Sequence, residues 1–290
     1  MLQVARLAPK QLGESRDLVA DFLRRHLNPD GGFQDRSGAS DLYYTVFGLD
    51  GLIALQEPLP VEQTSAFLQT FGEGAALDFV HLACLARGWA ALRRVPEPAI
   101  VGRMLAHAET FRSNDGGYST MPGEALGSSY GAFLALNIYQ DLGGELPAPT
   151  RVLESLHKLR ASDGSWGFHP DLPSGLTPTT AAAVVVHRQL GASADRGAGM
   201  WLLDRCHSSG GFFAGPDAPV PDLLSTATAL HALASLHVPL GGIREACLDF
   251  IDSLWTNRGG FFGTWADDEV DCEYTYYALL ALGHLSLESA

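Results

Sequence analysis

The stretch TNRGGFFGTWADDEVDCEYTYYALLALGHL, Thr256 to Leu285, holds a paired glycine, two phenylalanines, a knot of acids and then an apolar run opening with three tyrosines. The glycine-aromatic part recurs: NPDGGF at Asn28–Phe33, SNDGGY at Ser113–Tyr118, ASDGSWGF at Ala161–Phe168 and HSSGGFF at His207–Phe213. The first glycines are Gly31, Gly116, Gly164, Gly210 and Gly259, so the last three spacings are 48, 46 and 49 residues. The first spacing of 85 is close to two periods, and TFGEGAALDF with Gly72 supplies a degenerate copy between them. Six units of this length are a repeat architecture.

Each unit carries two helical patterns. An amphipathic stretch precedes the turn, as in SRDLVADFLRRHL or EPAIVGRMLAHAETFR. A segment apolar nearly all round follows it, as in LDFVHLACLARGWAAL or STATALHALASLHV. A helix apolar on every side is buried on every side, so amphipathic helices stand outside and apolar ones inside. The expected fold is all-α: twelve main helices in six hairpins closing an α/α barrel over residues 1–290, read as one domain. An open solenoid of the same hairpins is the rival. Asp or Asn before paired glycines suits a tight reversal through positive φ.

Composition narrows the function. A formal net charge of -14 over 290 residues argues against nucleic acid and anionic membrane surfaces as partners. The four cysteines, Cys84, Cys206, Cys247 and Cys272, form no CxxC, which fits a reducing compartment. No apolar run is long enough to span a membrane. A cytoplasmic location is expected.

In an alternating barrel all inner helices start at one mouth. Asp41, Asp78, Asp222 and Asp271 stand at such starts, with Ser128 or Ser129 and Thr179 or Thr180 in the corresponding places of units three and four. All are N-cap types. Below them, Tyr43, Tyr44, Phe47, Phe79, His81, Tyr130, Phe133, Tyr274 and Tyr277 are expected to line the interior, with Trp166 of the fourth turn. Tyr276 belongs to the same run. Units four and five offer small residues there: Thr180, Ala181, Ala182, then Ser225, Thr226, Ala227. A space ringed on one side and roomy on the other suits a long hydrocarbon.

These hairpins with DGGF-type turns resemble the terpenoid cyclase and protein prenyltransferase barrel, and are especially similar to protein prenyltransferase β subunits. GGFFAGPDAPVPDLLSTATALHALASL and VDCEYTYYALLALGHL carry the likeness. The resemblance implies a catalytic zinc on an Asp, a Cys two residues later and a His in the last inner helix. Zinc would hold a substrate thiolate. Asp222 matches the Asp, but Leu224 replaces the Cys and Tyr274 the His. Cys272 and Glu273 are neighbouring donors turned away from Tyr274 on a helix. The family's diphosphate cations are missing from FAGPDAPVP, and Ser225 stands at its Tyr position, leaving His169, Arg188 or a metal held by the acids as substitutes. WADDEVD lacks the Asp-x-Asp-Asp spacing of protonating cyclases.

The expected function is therefore that of a prenyltransferase β-subunit-like, isoprenoid-binding protein with an incomplete zinc site, Asp222 and Asp271 being the candidate catalytic acids. An α-subunit-like protein partner is what the resemblance implies. The alternatives are a non-catalytic barrel binding a lipid or a protein, a terpene cyclase, and a carbohydrate-active barrel using rim acids such as Asp41, Asp78 and Asp222.

Overall fold

The computed structural model describes residues 1–192 and 196–287. Two short helices open the chain, α1 (Leu2–Ala5) and α2 (Pro9–Leu12). Outer and inner helices then alternate: α3 (Arg16–Arg25), α4 (Leu42–Ala54), α5 (Val61–Gln69), α6 (Phe79–Ala91), α7 (Pro98–Glu109), α8 (Ser129–Asp141), α9 (Pro149–Lys158), α10 (Thr177–Gln189), α11 (Arg196–Leu203), α12 (Leu223–Ser235), α13 (Arg244–Ser253) and α14 (Cys272–Leu285). Each even-numbered helix from α4 onward packs on the next, and α14 packs on α4, so the inner ring closes. The open-solenoid alternative is excluded by that last contact.

The turns explain the closure. In five units the residue at the end of the outer helix pairs across the glycines with the turn aromatic: Leu27 with Phe33, Arg112 with Tyr118, Arg160 with Trp166, Cys206 with Phe212 and Trp255 with Phe261. Those aromatics are all buried. The Phe33, Trp166, Phe212 and Phe261 amides donate to Thr45, Thr180, Thr226 and Thr275, at 2.9, 3.0, 2.9 and 3.4 Å. Three of these hydroxyls donate on to the carbonyl of the residue capping the same helix, as Thr226 does to Asp222 at 2.6 Å. The turn is thereby pinned to the first turn of its own inner helix. In unit one the strand pair β1 (Phe33–Gln34) and β2 (Ser40–Asp41) extends the same arrangement.

The first glycine of the turn meets the next outer helix. Gly210 (φ +84) and Gly259 (φ +100) lie where a side chain is strained, and a Cβ would overlap the Ala246 and Leu18 carbonyls respectively. Gly259 belongs to unit six and Leu18 to α3 of unit one, so this contact joins the ends of the repeat. Gly164 (φ +91) has only ordinary contacts around it, and degenerate Gly72 has none.

Opposite the caps, polar ties join the inner helices. Arg87 of α6 forks onto Asp50 of α4, with Nη2 donating at 3.0 Å to Oδ1 and Nε at 3.2 Å to Oδ2. Its Nη1 reaches Asp141 of α8 at 3.2 Å. Burial pushes both carboxyls up, and the Arg87 guanidinium opposes that shift. Arg188 of α10 bonds Ser235 of α12 at 3.1 Å, and His231 of α12 meets His284 of α14 at 3.0 Å. Burial holds both histidines neutral, His231 at about 2 and His284 at about 4. Helix α1 packs on α4 and α14 at this end, where a Cβ on Gly283 would overlap the Val4 carbonyl.

Two predictions follow from the ring. Gly164→Ala should cost about 1–2 kcal/mol from its backbone conformation alone, whereas Gly210→Ala and Gly259→Ala should each cost roughly 3 kcal/mol or more, because the helix behind them must also move. Urea midpoints compare the three; equal losses would show that the turns do not bear on the next unit. Arg87→Ala should cost about 3–5 kcal/mol by stranding two buried carboxyls, read in the same denaturation.

Candidate functional site

The six inner helices begin around one mouth, and side chains cap five of them. Asp41 accepts from the Tyr43 and Tyr44 amides at 2.8 and 3.1 Å, and Asp78 accepts from that of His81 at 2.9 Å. Ser128 accepts from Gly131 at 2.9 Å, Asp222 from Ser225 at 2.7 Å and Asp271 from Tyr274 at 2.9 Å. The expected cap at Thr179 or Thr180 is corrected: α10 starts at Thr177, with Leu176 at the cap position. Pro178 is tolerated in that first turn. Thr179 instead accepts from the Leu176 amide at 3.2 Å, and Thr180 serves the turn like Thr45 and Thr226.

The aromatic wall is real but smaller than expected. Tyr43 packs on Tyr44 and Phe47 with ring centroids 5.7 and 4.8 Å apart, and Phe47 lies 5.3 Å from Tyr277. Tyr277 in turn lies 6.4 Å from Tyr274. Tyr130 reaches toward Tyr43 and Glu273 from the opposite side of the ring, and 39% of its surface stays open. Phe133 is half-buried one helical turn below. On the facing side Ala182, Leu224 and Thr228 keep open surface among small neighbours, and Asn137 and His231 do so deeper down. These side chains stand on the inner helices and keep part of their surface accessible.

Three expectations fail. Phe79 is 0% exposed and stacks on Phe111 at 4.4 Å, because the first residue of α6 points toward α7 rather than inward. Trp166 is 2% exposed, its indole N–H held by the Leu156 carbonyl at 3.0 Å in the turn. Tyr276 is buried at the α14–α4 seam beside Phe47 rather than open to the interior.

Polar groups at the mouth are heavily paired. His81 sits between two caps, with Nδ1 2.9 Å from Asp78 and Nε2 3.6 Å from Asp41. Arg36, from the loop after the first turn, donates to Asp271 at 2.9 Å and Asp267 at 3.0 Å and lies over the Tyr274 ring. Asp271 is thus both a cap and an ion-pair partner. Asp222 accepts additionally from the Ser225 hydroxyl at 2.7 Å, and burial pushes its carboxyl up. In the acid run the Asp268 and Glu269 amides donate to the Asp267 carboxylate at 3.1 and 3.5 Å, and both residues line, with Arg36, Arg258 and His26, a polar depression of about 420 Å³ outside the ring.

Glu273 is the carboxyl that faces the interior. It is half-buried, accepts from the Tyr43 hydroxyl at 2.6 Å, and burial pushes it up to about 7. Burial also raises the Tyr43 and Tyr277 phenols, which stay neutral. A carboxyl titrating near neutrality exchanges protons readily, yet it is a weak acid for protonating an unactivated alkene.

A zinc ion does not fit the matched positions. Asp222 caps α12, Tyr274 lies in the first turn of α14, and the Asp222 charge acts on the Tyr274 phenol. Between them Leu224 offers no donor, and both Asp222 oxygens already accept from Ser225. Cys272 is buried with no open surface, so it does not join Glu273 at the interior. Among the described residues no three His, Cys, Asp or Glu side chains converge as metal ligands. Arg188 lies at the far end of α10, away from the mouth, and His169 pairs with Asp171 in an exposed loop at 3.4 Å.

The family model described as the prenyltransferase alpha-alpha toroid domain matches residues 7–84 and 178–289, more than half of the chain. The chain belongs to that family. Among solved structures it is similar to a variant of the type II terpene cyclase MstE from Scytonema, in complex with geranylgeranyl dihydroxybenzoate. The TM-score is 0.67 at 16% identity, covering 96% of this chain and 97% of that one. Protein geranylgeranyltransferase-I of Candida albicans, complexed with GGPP, follows with a TM-score of 0.66 at 13% identity, covering 91% and 89%. A possible member of the GH105 family from Klebsiella pneumoniae gives 0.55 at 15% identity, covering 94% and 92%. At these identities the likeness is one of fold. No curated protein matches the sequence.

Sequence reasoning weighed Glu273 only as a stray metal donor and passed over Arg36. The available signal was a lone acid in a helix otherwise apolar all round, and a lone cation among the mouth loops. Because the folded state raises the Glu273 carboxyl from its ordinary 4.5, its stabilising effect is complete below pH 4.5 and is lost as pH rises through about 7. Glu273→Gln should therefore stabilise the protein at pH 8 by on the order of 1 kcal/mol and have little effect at pH 4. Thermal melts at both pH values check this; equal effects would mean Glu273 is freely solvated.

Proposed function

We propose that the interior of this toroid binds one isoprenoid or similar hydrocarbon chain, and that it does so without thiolate-zinc chemistry. The observation that carries the reading is the interior itself: Tyr43, Phe47 and Tyr277 on one wall, Ala182 and Thr228 on the other, all retaining open surface. Flat aromatic faces give a chain apolar contact, and the small side leaves it room. Two structural neighbours hold geranylgeranyl compounds in the same fold, which supports the reading. The donor set at Asp222, Leu224 and Tyr274 does not support zinc-assisted prenyl transfer to a thiol.

A carbohydrate-active reading gains nothing from the rim acids. Asp41, Asp78, Asp222 and Asp271 each accept backbone N–H groups through Oδ1 as helix caps, a structural role that accounts for acids at these positions without glycoside chemistry. No helix among the described residues is long and apolar enough to cross a membrane. A cytoplasmic location, with or without a second subunit, accords with this proposal.

Titration of geranylgeraniol, followed by intrinsic fluorescence, should show one site in the micromolar range, about -8 kcal/mol. Ala182→Trp fills the roomy side and should weaken binding at least tenfold while leaving the circular dichroism spectrum unchanged. No saturable binding, or binding indifferent to Ala182→Trp in the folded variant, would contradict the proposal.

A further inference from the structure

The mouth is acidic to a degree that bears on the ligand. Its six loops, residues 34–41, 71–78, 119–128, 167–176, 213–222 and 262–271, contain twelve Asp and Glu but no Lys and a single Arg, Arg36. The first turns of the inner helices add Glu273 and His81 as their charged or titratable members besides tyrosine and the buried Cys272. Arg36 is already paired with Asp267 and Asp271, and His81 stands between Asp41 and Asp78. His169 of the fourth loop likewise pairs with Asp171; among the described residues of these loops and first turns every Arg and His thus has an acidic partner, and the loops' summed field repels an anion. A diphosphate needs concentrated positive charge and several donors. At five of the helix N-termini a side-chain cap already takes one or two of the free N–H groups, and four of those caps are themselves carboxylates.

What the mouth does offer is an acceptor. Glu273 projects from the first turn of α14 into the ringed interior, with Oε1 holding the Tyr43 hydroxyl at 2.6 Å. No salt bridge satisfies it among the described residues. Tyr277 and Tyr130 stand around it, Asp271 lies behind it on the same helix, and Arg36 acts on it from the first loop without bonding it.

We infer that the hydrocarbon guest carries a head group that is not anionic and that donates a hydrogen bond, an alcohol or an amine, received by Glu273 with Tyr43 at the mouth of the ring. The inference rests on the isoprenoid reading above and narrows it: the chain lies in the interior and its polar end stays at the mouth. Burial that makes an isolated carboxylate costly also makes it a strong acceptor for a donor that replaces water. An amine gains most, because its charge opposes that of the site. A diphosphate loses on both counts.

The test compares three ligands of one chain length by calorimetry at pH 8 and about 50 mM salt, conditions under which exposed charges are weakly screened: geranylgeranylamine, geranylgeraniol and geranylgeranyl diphosphate. The amine should bind tightest and the diphosphate at least tenfold more weakly than the alcohol. The gap between alcohol and diphosphate should narrow at 500 mM salt. Glu273→Gln should weaken the amine about tenfold and the alcohol less than threefold. Tyr43→Phe, which leaves Glu273 in place, should retain the preference for the amine. Diphosphate binding as tight as the alcohol overturns the head-group inference while leaving the hydrocarbon site standing. An unchanged ranking in Glu273→Gln overturns the assignment to that residue. Failure of all three ligands to bind removes the isoprenoid reading itself, and the inference with it.

Discussion

Gly259 lies against the Leu18 carbonyl, with no room for even a methyl group between the last turn and the first outer helix. Every feature of the interior depends on that closure. A ring of six inner helices has one set of N-termini and one set of C-termini, so it has a mouth and a closed end. The same hairpins in an open row would expose their apolar helices along a groove, and no enclosed space would exist. Closure is secured again between α14 and α4, and by the α1 helix lodged against both.

Closure also divides the labour between the two ends. At the C-terminal end, buried ionic and polar ties join α4 to α6, α6 to α8, α10 to α12 and α12 to α14. They fix the ring where nothing needs to enter. At the mouth, helix dipoles favour negative groups, and the caps exploit this with four aspartates. The same choice loads the entrance with negative charge. An interior suited to hydrocarbon thus sits behind an entrance unsuited to phosphate, and the two properties arise from one architecture.

The repeat, the closed barrel and the inward or outward role of every main helix were legible because periodicity reports burial directly. Caps at Asp41, Asp78, Asp222 and Asp271 were legible because acid side chains before apolar helices have one common use. Individual orientations were less so. Phe79 and Trp166 are aromatics next to the mouth in sequence, but a one-residue shift on a helix turns a side chain by about 100°, which takes Phe79 away from the interior, and Trp166 belongs to the turn and packs into the protein body. The α10 start was misplaced because Thr179 and Thr180 look like caps, whereas the actual cap position holds a leucine. Arg36 and Asp271 meet across 235 positions of chain, a pairing no local pattern records. The loss of zinc ligands, by contrast, needed only residue identity: a leucine at position 224 has no donor whatever the geometry.

The most direct test is a crystal structure of the protein with geranylgeraniol bound. The account predicts continuous density between the Phe47–Tyr277 wall and Ala182–Thr228, with the hydroxyl end within hydrogen-bonding distance of Glu273. Density confined to the polar depression beside Arg36 and Arg258, or an interior closed over by Tyr130 and Phe133 with no guest, would contradict it.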